Sequence, residues 1–325
     1  MNRVFHLKTF AFLFIALNMI FLLVDKSFAQ IDLTFGTNGV TKTNLSGKDS
    51  PIGGFVLPDG KILVVAENGI PNLTSYYFLR YNADGTPDAT YGDGGKILLS
   101  IPFQAQGYNY WLVKAARQPD GKIVLAGSDN NSGIILRFNE NGTLDTSFAG
   151  GGIHRPNIIN GRDGITGVVL QPDGKIVVAG FAEGALNREK LYLLRYNSNG
   201  TLDETFGTEG YIVHSQFWVT NSGIPFIFLQ SNGKIVVVSP NEPDSSPNGC
   251  VRRFNSNGTV DTSYSIAFPQ SGFKTAFMQP DDKILLGKYV AKTESLERTH
   301  TDSAISRYNA DGSPDGGLPR ASGIG

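Results

Sequence analysis

Beyond residue 30 the apolar positions of this chain recur with a period of two, and no stretch sustains the spacing near 3.6 that a helix needs. Residues 96–101, 111–118, 122–129 and 134–139 each alternate apolar with polar or small side chains. Gly, Pro, Asn and Asp bound these runs, which predicts four consecutive strands. The second and third are joined by Pro-Asp-Gly. Pro presets φ at the first turn position, Asp accepts a local backbone bond and Gly takes φ > 0, so a hairpin is expected there.

This pattern is one of five copies. Pro-Asp-Gly-Lys stands at 58–61, 119–122 and 172–175, with Ser-Asn-Gly-Lys at 231–234 and Pro-Asp-Asp-Lys at 280–283. A second motif, Arg-aromatic-Asn-x-Asx-Gly-Thr/Ser-x-Asp, begins at Arg80, Arg137, Arg195, Arg253 and Arg307, at intervals of 57, 58, 58 and 54. A third, aromatic-Gly-x-x-Gly, is seen at 91–95 and 206–210, and a copy at 35–39 precedes the first full repeat. Four antiparallel strands per unit, five times over, predict an all-β fold: a β-propeller, read here as five blades in one domain over residues 30–315, with a tail at 316–325.

The motifs at 171–180 (QPDGKIVVAG) and 194–210 (LRYNSNGTLDETFGTEG) resemble the delta-60 repeat and, more distantly, NHL repeats. The resemblance spans residues 32–315 and implies a propeller of the kind found in exported bacterial proteins; it supplies no catalytic residue. Repeat five departs from the pattern, with Tyr264-Ser265 in place of Phe-Gly.

The N-terminus predicts export. Arg3 and Lys8 precede a mostly apolar stretch at 9–24, and Ser27-Phe28-Ala29 offers small residues where a signal peptidase reads, so cleavage is expected after Ala29. Nothing later is long and apolar enough to span a bilayer, so the expectation is a secreted or periplasmic protein with no membrane insertion after cleavage. Losing residues 1–29 removes three bases and one acid from a chain of net charge −1, leaving −3. With 18% charged residues and no basic excess, nucleic acid is excluded as a partner. Cys250 is the only cysteine, which rules out an intrachain disulfide. It fills a slot occupied elsewhere by Tyr77, Ile134, Tyr192 and Ala304, and reads as a small buried hydrophobe.

Residues present in every copy are expected to serve the blade. Eight positions separate Arg80 from Asp88, Arg137 from Asp145, Arg195 from Asp203, Arg253 from Asp261 and Arg307 from Asp315. Each pair is predicted to close its own turn by a charge-assisted bond. The Asn-x-Asx-Gly-Thr-x-Asp turns carry closely spaced oxygens that could hold calcium, but their glycine comes at the fourth place, and Asn-Gly is a common hairpin dipeptide, so turn chemistry is the reading and no cofactor is expected. Neither a zinc-binding His pattern nor a phosphate-binding glycine loop occurs.

A site should break the symmetry. The small residues Gly53, Gly54, Ala115, Ala116, Gly167 and Ala276 place the segment before each Pro-Asp-Gly turn on the innermost strand, and the loop entering it contains Asp49, Tyr110, Asp163, Ser222 and Ser271. Asp49, Tyr108, Tyr110, Trp111, Arg162, Asp163, Phe217 and Trp218 are the candidate ligand-binding residues: aromatics to stack on a sugar or peptide and charged groups to direct hydrogen bonds. Polar connections near 67–75, 183–190, 240–249 and 292–303 vary in length and are candidate recognition loops. The expected function is a noncatalytic binding or scaffold module, a monomer whose partner is a glycan or protein surface. The alternative is a polysaccharide hydrolase or lyase with Asp49 and Asp163 as paired carboxylates.

Overall fold

The computed structural model describes residues 31–70, 73–101, 110–129, 132–156, 163–183, 189–219, 226–238, 251–264, 266, 273–295 and 298–316. These fall into two compact units. The small one is Met1–Lys42 with Ala83–Thr86. In its described part the turn at 35–39 sits on the turn at 83–86: Gly36 N donates to Asp84 O (2.6 Å) and Thr41 Oγ1 to Gly85 O (2.6 Å). A Cβ on Gly85 would fall 2.9 Å from the Phe35 ring, so the close approach requires glycine.

The large unit, Thr43–Asn82 with Pro87–Gly325, is a β-propeller of five blades. Blade 1 is β1 (Lys48–Val56), β2 (Ile62–Ile70), β3 (Leu73–Tyr81) and β4 (Lys96–Leu98). Blade 2 is β5 (Tyr110–Arg117), β6 (Ile123–Asp129), β7 (Ser132–Phe138) and β8 (Ile153–His154), and blade 3 is β9 (Asp163–Leu170), β10 (Ile176–Glu183), β11 (Glu189–Tyr196) and β12 (Tyr211–Val219). Among the described residues blades 4 and 5 have three strands each: β13 (Phe226–Leu229), β14 (Ile235–Val238) and β15 (Val251–Phe254), then β16 (Phe273–Met278), β17 (Ile284–Ser295) and β18 (Arg298–Tyr308). Every pairing is antiparallel between strands adjacent in sequence, as the short turns require.

The phase of the blade differs from the sequence reading. Residues 96–101, taken there as the first strand of the second repeat, contribute β4, which pairs with β3 (Tyr77 opposite Leu98) and so completes blade 1. The Arg-bearing strand is consequently third in its blade. Its backbone also reaches the segment that follows: Leu99 N donates to Tyr76 O (2.8 Å).

First strands of neighbouring blades touch, β5 lying against both β1 and β9, and β13 against β9. The small residues make this approach feasible. A Cβ on Gly53 would come 2.7 Å from that of Ala115, and one on Gly167 would come 2.5 Å from Ile227. Between sheets the core is laminar. Leu63, Val65 and Phe78 of blade 1 pack on Ile123, Leu125 and Leu136 of blade 2, and the same strand positions supply the three following interfaces.

Hairpin turns follow the chemistry expected of Pro-Asp-Gly. Asp59, Asp120 and Asp173 each accept at Oδ1 from the N–H of the following Lys (3.1 Å in each), and Gly60, Gly121 and Gly174 have φ of +81°, +89° and +82°. The two irregular copies compensate one another. Where blade 4 has Ser231 in place of Pro, and blade 5 has Asp282 in place of Gly at φ +63°, Ser231 N and Oγ donate to the Asp282 carboxylate at 2.8 and 2.5 Å. Proline could offer neither donor. A double-mutant cycle should therefore show coupling of about 1 kcal/mol: Ser231→Pro costs more in the natural background than beside Asp282→Gly, as read by urea unfolding of the four proteins.

Candidate functional site

The recurring residues all assemble at the hairpin-turn end of the blades, around one aspartate per blade. At its Oδ2, Asp88, Asp145, Asp203, Asp261 and Asp315 accept from Nε of Arg80, Arg137, Arg195, Arg253 and Arg307 at 2.7, 2.7, 2.6, 2.7 and 2.7 Å. The backbone locks the same pair, since Asp88 N donates to Arg80 O (2.9 Å), with equivalents in the other copies. The Lys of the hairpin turn, for which the sequence suggested no role, reaches the same oxygen: Lys61, Lys122, Lys175, Lys234 and Lys283 lie 2.8, 3.5, 2.9, 2.7 and 3.1 Å from it. Oδ1 is used as well, accepting from the N–H and hydroxyl of Thr90, Ser147, Thr205 and Ser263 in the first four blades.

The clasps of blades 2, 3 and 4 then reach into the next blade. Arg137 and Arg195 donate from Nη1 to the carbonyls of Ser198 and Ser256, and Arg253 donates to that of Ala310 at 2.7 Å. The guanidinium of Arg80, Arg137, Arg195 and Arg253 stacks 4.0, 4.6, 4.7 and 4.3 Å from the ring centre of Tyr91, Phe148, Phe206 and Tyr264. These rings press on the following turn, where a Cβ on Gly200 would fall 2.6 Å from Phe148. With φ at +87°, Gly200 meets a steric and a conformational demand together.

Electrostatics match this geometry. Hydrogen bonds from Lys61 and Thr90 hold the Asp88 carboxyl well below the usual range, and those from Lys234 and Ser263 do the same for Asp261. At Asp203 burial acts in the opposite direction and is outweighed by Thr205 and Lys175, and Asp145 is lowered likewise against its burial, with Ser147 the largest contributor. The Asx turns close on themselves: Asn141 Oδ1 accepts from Thr143 N (3.1 Å) and Oγ1 (2.7 Å), as Asn199 and Asn257 do in the next copies. Among the described residues no group of three or more His, Cys, Asp and Glu is placed to hold a metal ion.

The opposite end of the blades carries the residues that break the repeat. Asp49, near the start of β1, is exposed and accepts at Oδ2 from Leu45 N (2.8 Å) and at Oδ1 from Asn68 Nδ2 (3.0 Å). Asn68 is buried and donates to Leu45 O as well. Burial raises the carboxyl of the adjacent Glu67. In blade 2 the buried Asp129, which ends β6, accepts from Arg155 Nε at 2.6 Å. Asp163 opens β9 but is buried, and its Oδ1 accepts from Gly133 N of β7, tying blade 3 to blade 2. Burial, with the Asp163 charge adding, pushes the hydroxyls of Tyr192 and Tyr196 far above their ordinary range.

Several sequence expectations change here. Asp49 and Asp163 begin blades separated by a third, and both carboxylates already serve as acceptors for their surroundings. They do not form a free catalytic pair. Tyr110 and Trp111 begin β5 opposite Asp129 and Ser128, as an entry to the first strand should. Phe217 and Trp218 do not lie beside a first strand: the alternating run they belong to extends the outer ladder as β12, with Trp218 opposite Lys190, three strands from Asp163. Tyr108, Arg162, Ser222, Ser271 and Cys250 lie outside the described residues, as does the signal segment. The connection at 292–303 is largely a ladder, with β17 and β18 paired as far as Ser295 and Arg298. Asn68, Asp129 and Arg155 were missed. Asn68 and Asp129 occupy one repeat position, seven after the turn Lys, where blade 3 has Ala182, and that polar departure was the available signal.

Residues 57–91, 118–148, 171–206 and 230–264 match the family described as Domain of unknown function (DUF5122) beta-propeller. Each matched segment runs from the residue before the hairpin turn to the aromatic of the clasp. No curated protein matches the sequence. Among solved structures the chain is similar to polysaccharide lyase Uly1, at 10% identity over 88% of this chain and 75% of that one, with a TM-score of 0.46. It is similar also to an acylaminoacyl peptidase of Pyrococcus horikoshii (12% identity, 82% of this chain and 39% of that one, TM-score 0.41) and to prolyl oligopeptidase B from Galerina marginata (10%, 84% and 35%, TM-score 0.42). The chain spans less than two fifths of the length of either peptidase, 39% and 35%. At such identities these likenesses carry no argument about activity.

The clasp makes two predictions. Asp203→Ala strips Arg195 and Lys175 of a shared buried acceptor and should cost about 3 to 5 kcal/mol in urea unfolding. Because the clasp carboxyls are lowered on folding from an ordinary 3.8, the stability they contribute is fully present above that value and is lost as pH falls below it. Acid unfolding followed by circular dichroism should thus begin only below about pH 4; onset near pH 6 would assign the acid sensitivity to other groups.

Proposed function

We propose that this chain is an exported propeller of the delta-60 repeat type that works as a noncatalytic binding module, meeting a glycan or a protein surface at the end of the blades opposite the clasps. One observation carries the reading: the motifs common to all blades are consumed at the hairpin-turn end, whereas the far end differs from blade to blade. There Asp49 is exposed beside Asn68, Arg155 stands over Asp129, and the β17–β18 hairpin runs longer than its counterparts. Scaffold ends with one blade-specific polar group after another are where propeller loops acquire ligands. Carboxylate and guanidinium groups suit hydroxyl-rich or peptide ligands.

Export accords with the N-terminal pattern, and no helix among the described residues is long and apolar enough to cross a membrane. A glycoside hydrolase of the kind considered above would use Asp49 and Asp163 as paired carboxylates facing one bond. Asp163 is buried and accepts from Gly133 N, which speaks against that pair.

The full chain should retain a ligand on a glycan array or a peptide library without cleaving it, and Arg155→Ala and Asp49→Ala should each weaken binding at least about tenfold, the loss of one charge-assisted contact. Binding indifferent to both would move the site elsewhere, and bond cleavage would refute the noncatalytic role. Since the Asx turns are satisfied internally, EDTA should leave Tm unchanged; a fall would show a structural metal.

A further inference from the structure

Three of the five Asx turns contain an Asn-Gly step, Asn141-Gly142, Asn199-Gly200 and Asn257-Gly258, and the other two contain Asp-Gly at the same place, Asp84-Gly85 and Asp311-Gly312. The fold treats the two side chains alike. Oδ1 of Asn141, Asn199 and Asn257 accepts from the N–H two residues on at 3.1, 3.0 and 3.0 Å and from the hydroxyl of that residue at 2.7, 2.8 and 2.8 Å. Oδ1 of Asp84 and Asp311 accepts from the equivalent N–H at 2.9 Å and from the hydroxyl at 2.7 Å in both turns. An aspartate therefore fits wherever the asparagine stands.

At an Asn-Gly step glycine leaves the following backbone nitrogen unshielded and free to turn. That nitrogen bonds to the Asn Cγ, the Cγ–Nδ2 bond breaks, and the proton it gives up departs with the leaving ammonia. Water then opens the cyclic imide to aspartate or, at its other carbonyl, to isoaspartate. In these blades the nitrogen is committed elsewhere. Gly142, Gly200 and Gly258 donate to the carbonyls of Asn139, Asn197 and Asn255 at 2.9, 2.9 and 2.8 Å, with φ at +78°, +87° and +90°. The asparagines are exposed, but the glycines are buried against the preceding blade. A Cβ on Gly142 would fall 2.4 Å from Ile97, one on Gly200 2.6 Å from Phe148 and one on Gly258 3.1 Å from Phe206, and Tyr91 Oη donates to Glu140 O in the first of these turns. Bringing the nitrogen onto Cγ means leaving that contact.

We infer that Asn141, Asn199 and Asn257 are deamidation sites gated by the clasp of the preceding blade. While the clasp packs on the turn, the amide is kept; when the turn opens, it is lost, and the aspartate formed recloses with the bonds that Asp84 and Asp311 make. Isoaspartate adds a methylene to the backbone and displaces the glycine from the ring or side chain it touches, so that product does not reclose. Each conversion places one more negative charge at the clasp end, since hydrogen bonds from Thr86 and Ser313 lower the carboxyls already standing in such turns. The inference is independent of the ligand proposed for the other end.

The full chain is incubated at neutral pH with and without urea, and conversion at the three steps is followed by peptide mass spectrometry. In the folded protein each should convert at least about tenfold more slowly than in urea, as passage through a rarely opened turn requires. Equal rates would overturn the gate. In Phe148→Leu, conversion should accelerate at Asn199 while Asn141 and Asn257 keep their natural rates. An unchanged Asn199, or all three rising together, would assign the protection to something other than the preceding clasp and overturn it as well. The chain carrying Asn141→Asp, Asn199→Asp and Asn257→Asp should keep the circular dichroism and Tm of the natural one; a lower Tm would show that the product is not accommodated. Ligand retention on the array is a separate readout, so its failure would not be confused with this one.

Discussion

An aspartate that accepts from Arg and Lys at one carboxylate oxygen in every blade, and in the first four at the other from the hydroxyl and backbone N–H of the Thr or Ser two residues on, fixes the geometry of the blades. Taking three charges partly out of water costs several kcal/mol per ion unless their remaining hydrogen-bonding capacity is met. Here it is. Asp203 has both oxygens occupied, Arg195 donates to Asp203 and to the next blade's turn, and Phe206 covers one face of the guanidinium. Arg serves better than Lys because its planar fork addresses a carboxylate, a carbonyl and a ring at once. The Lys of the turn, half-exposed, supplies charge with little geometric demand.

This arrangement makes the molecule two-ended. At the clasp end every blade uses the same Arg, Asp and Lys, and the guanidinium groups of Arg137, Arg195 and Arg253 each find a carbonyl of the following turn at the same spacing. At the other end no contact of that kind recurs, and Asp49, Asn68, Asp129 and Arg155 are each local solutions. Variation is therefore tolerated where a ligand would be met, and excluded where blade is joined to blade. The Ser231–Asp282 pair is informative because it is a change at the restricted end. Two departures from the motif survive there as one hydrogen-bonded unit.

What the sequence revealed depended on distance along the chain. Strand periodicity, the hairpin turns and the spacing of eight between clasp Arg and Asp are local, and the antiparallel return of the chain turns that spacing directly into contact. The role of Lys61 depended on Asp88 lying twenty-seven residues further on, and that of Tyr91 on a turn in the next blade. No period in one repeat reports such contacts. The blade phase was also illegible locally, since residues 96–101 alternate equally well as a first or a last strand, and only pairing with β3 decides. For the same reason Phe217 and Trp218, aromatic and close in sequence to an inner strand, were assigned to the wrong edge of the sheet.

Because each blade touches only its neighbours, stability in such a series is close to a sum of blade terms and interface terms. Blades 2, 3 and 4 each pack on a neighbour at both faces, through the same strand positions every time. One residue pattern therefore has to satisfy a forward and a rear face at once, and a period of two does so by sending successive residues to opposite sides of the sheet. In β6 Ile123 and Leu125 pack on Leu63 and Val65 of blade 1, whereas Val124 and Ala126, one residue on from each, pack on Ile176 and Val178 of blade 3.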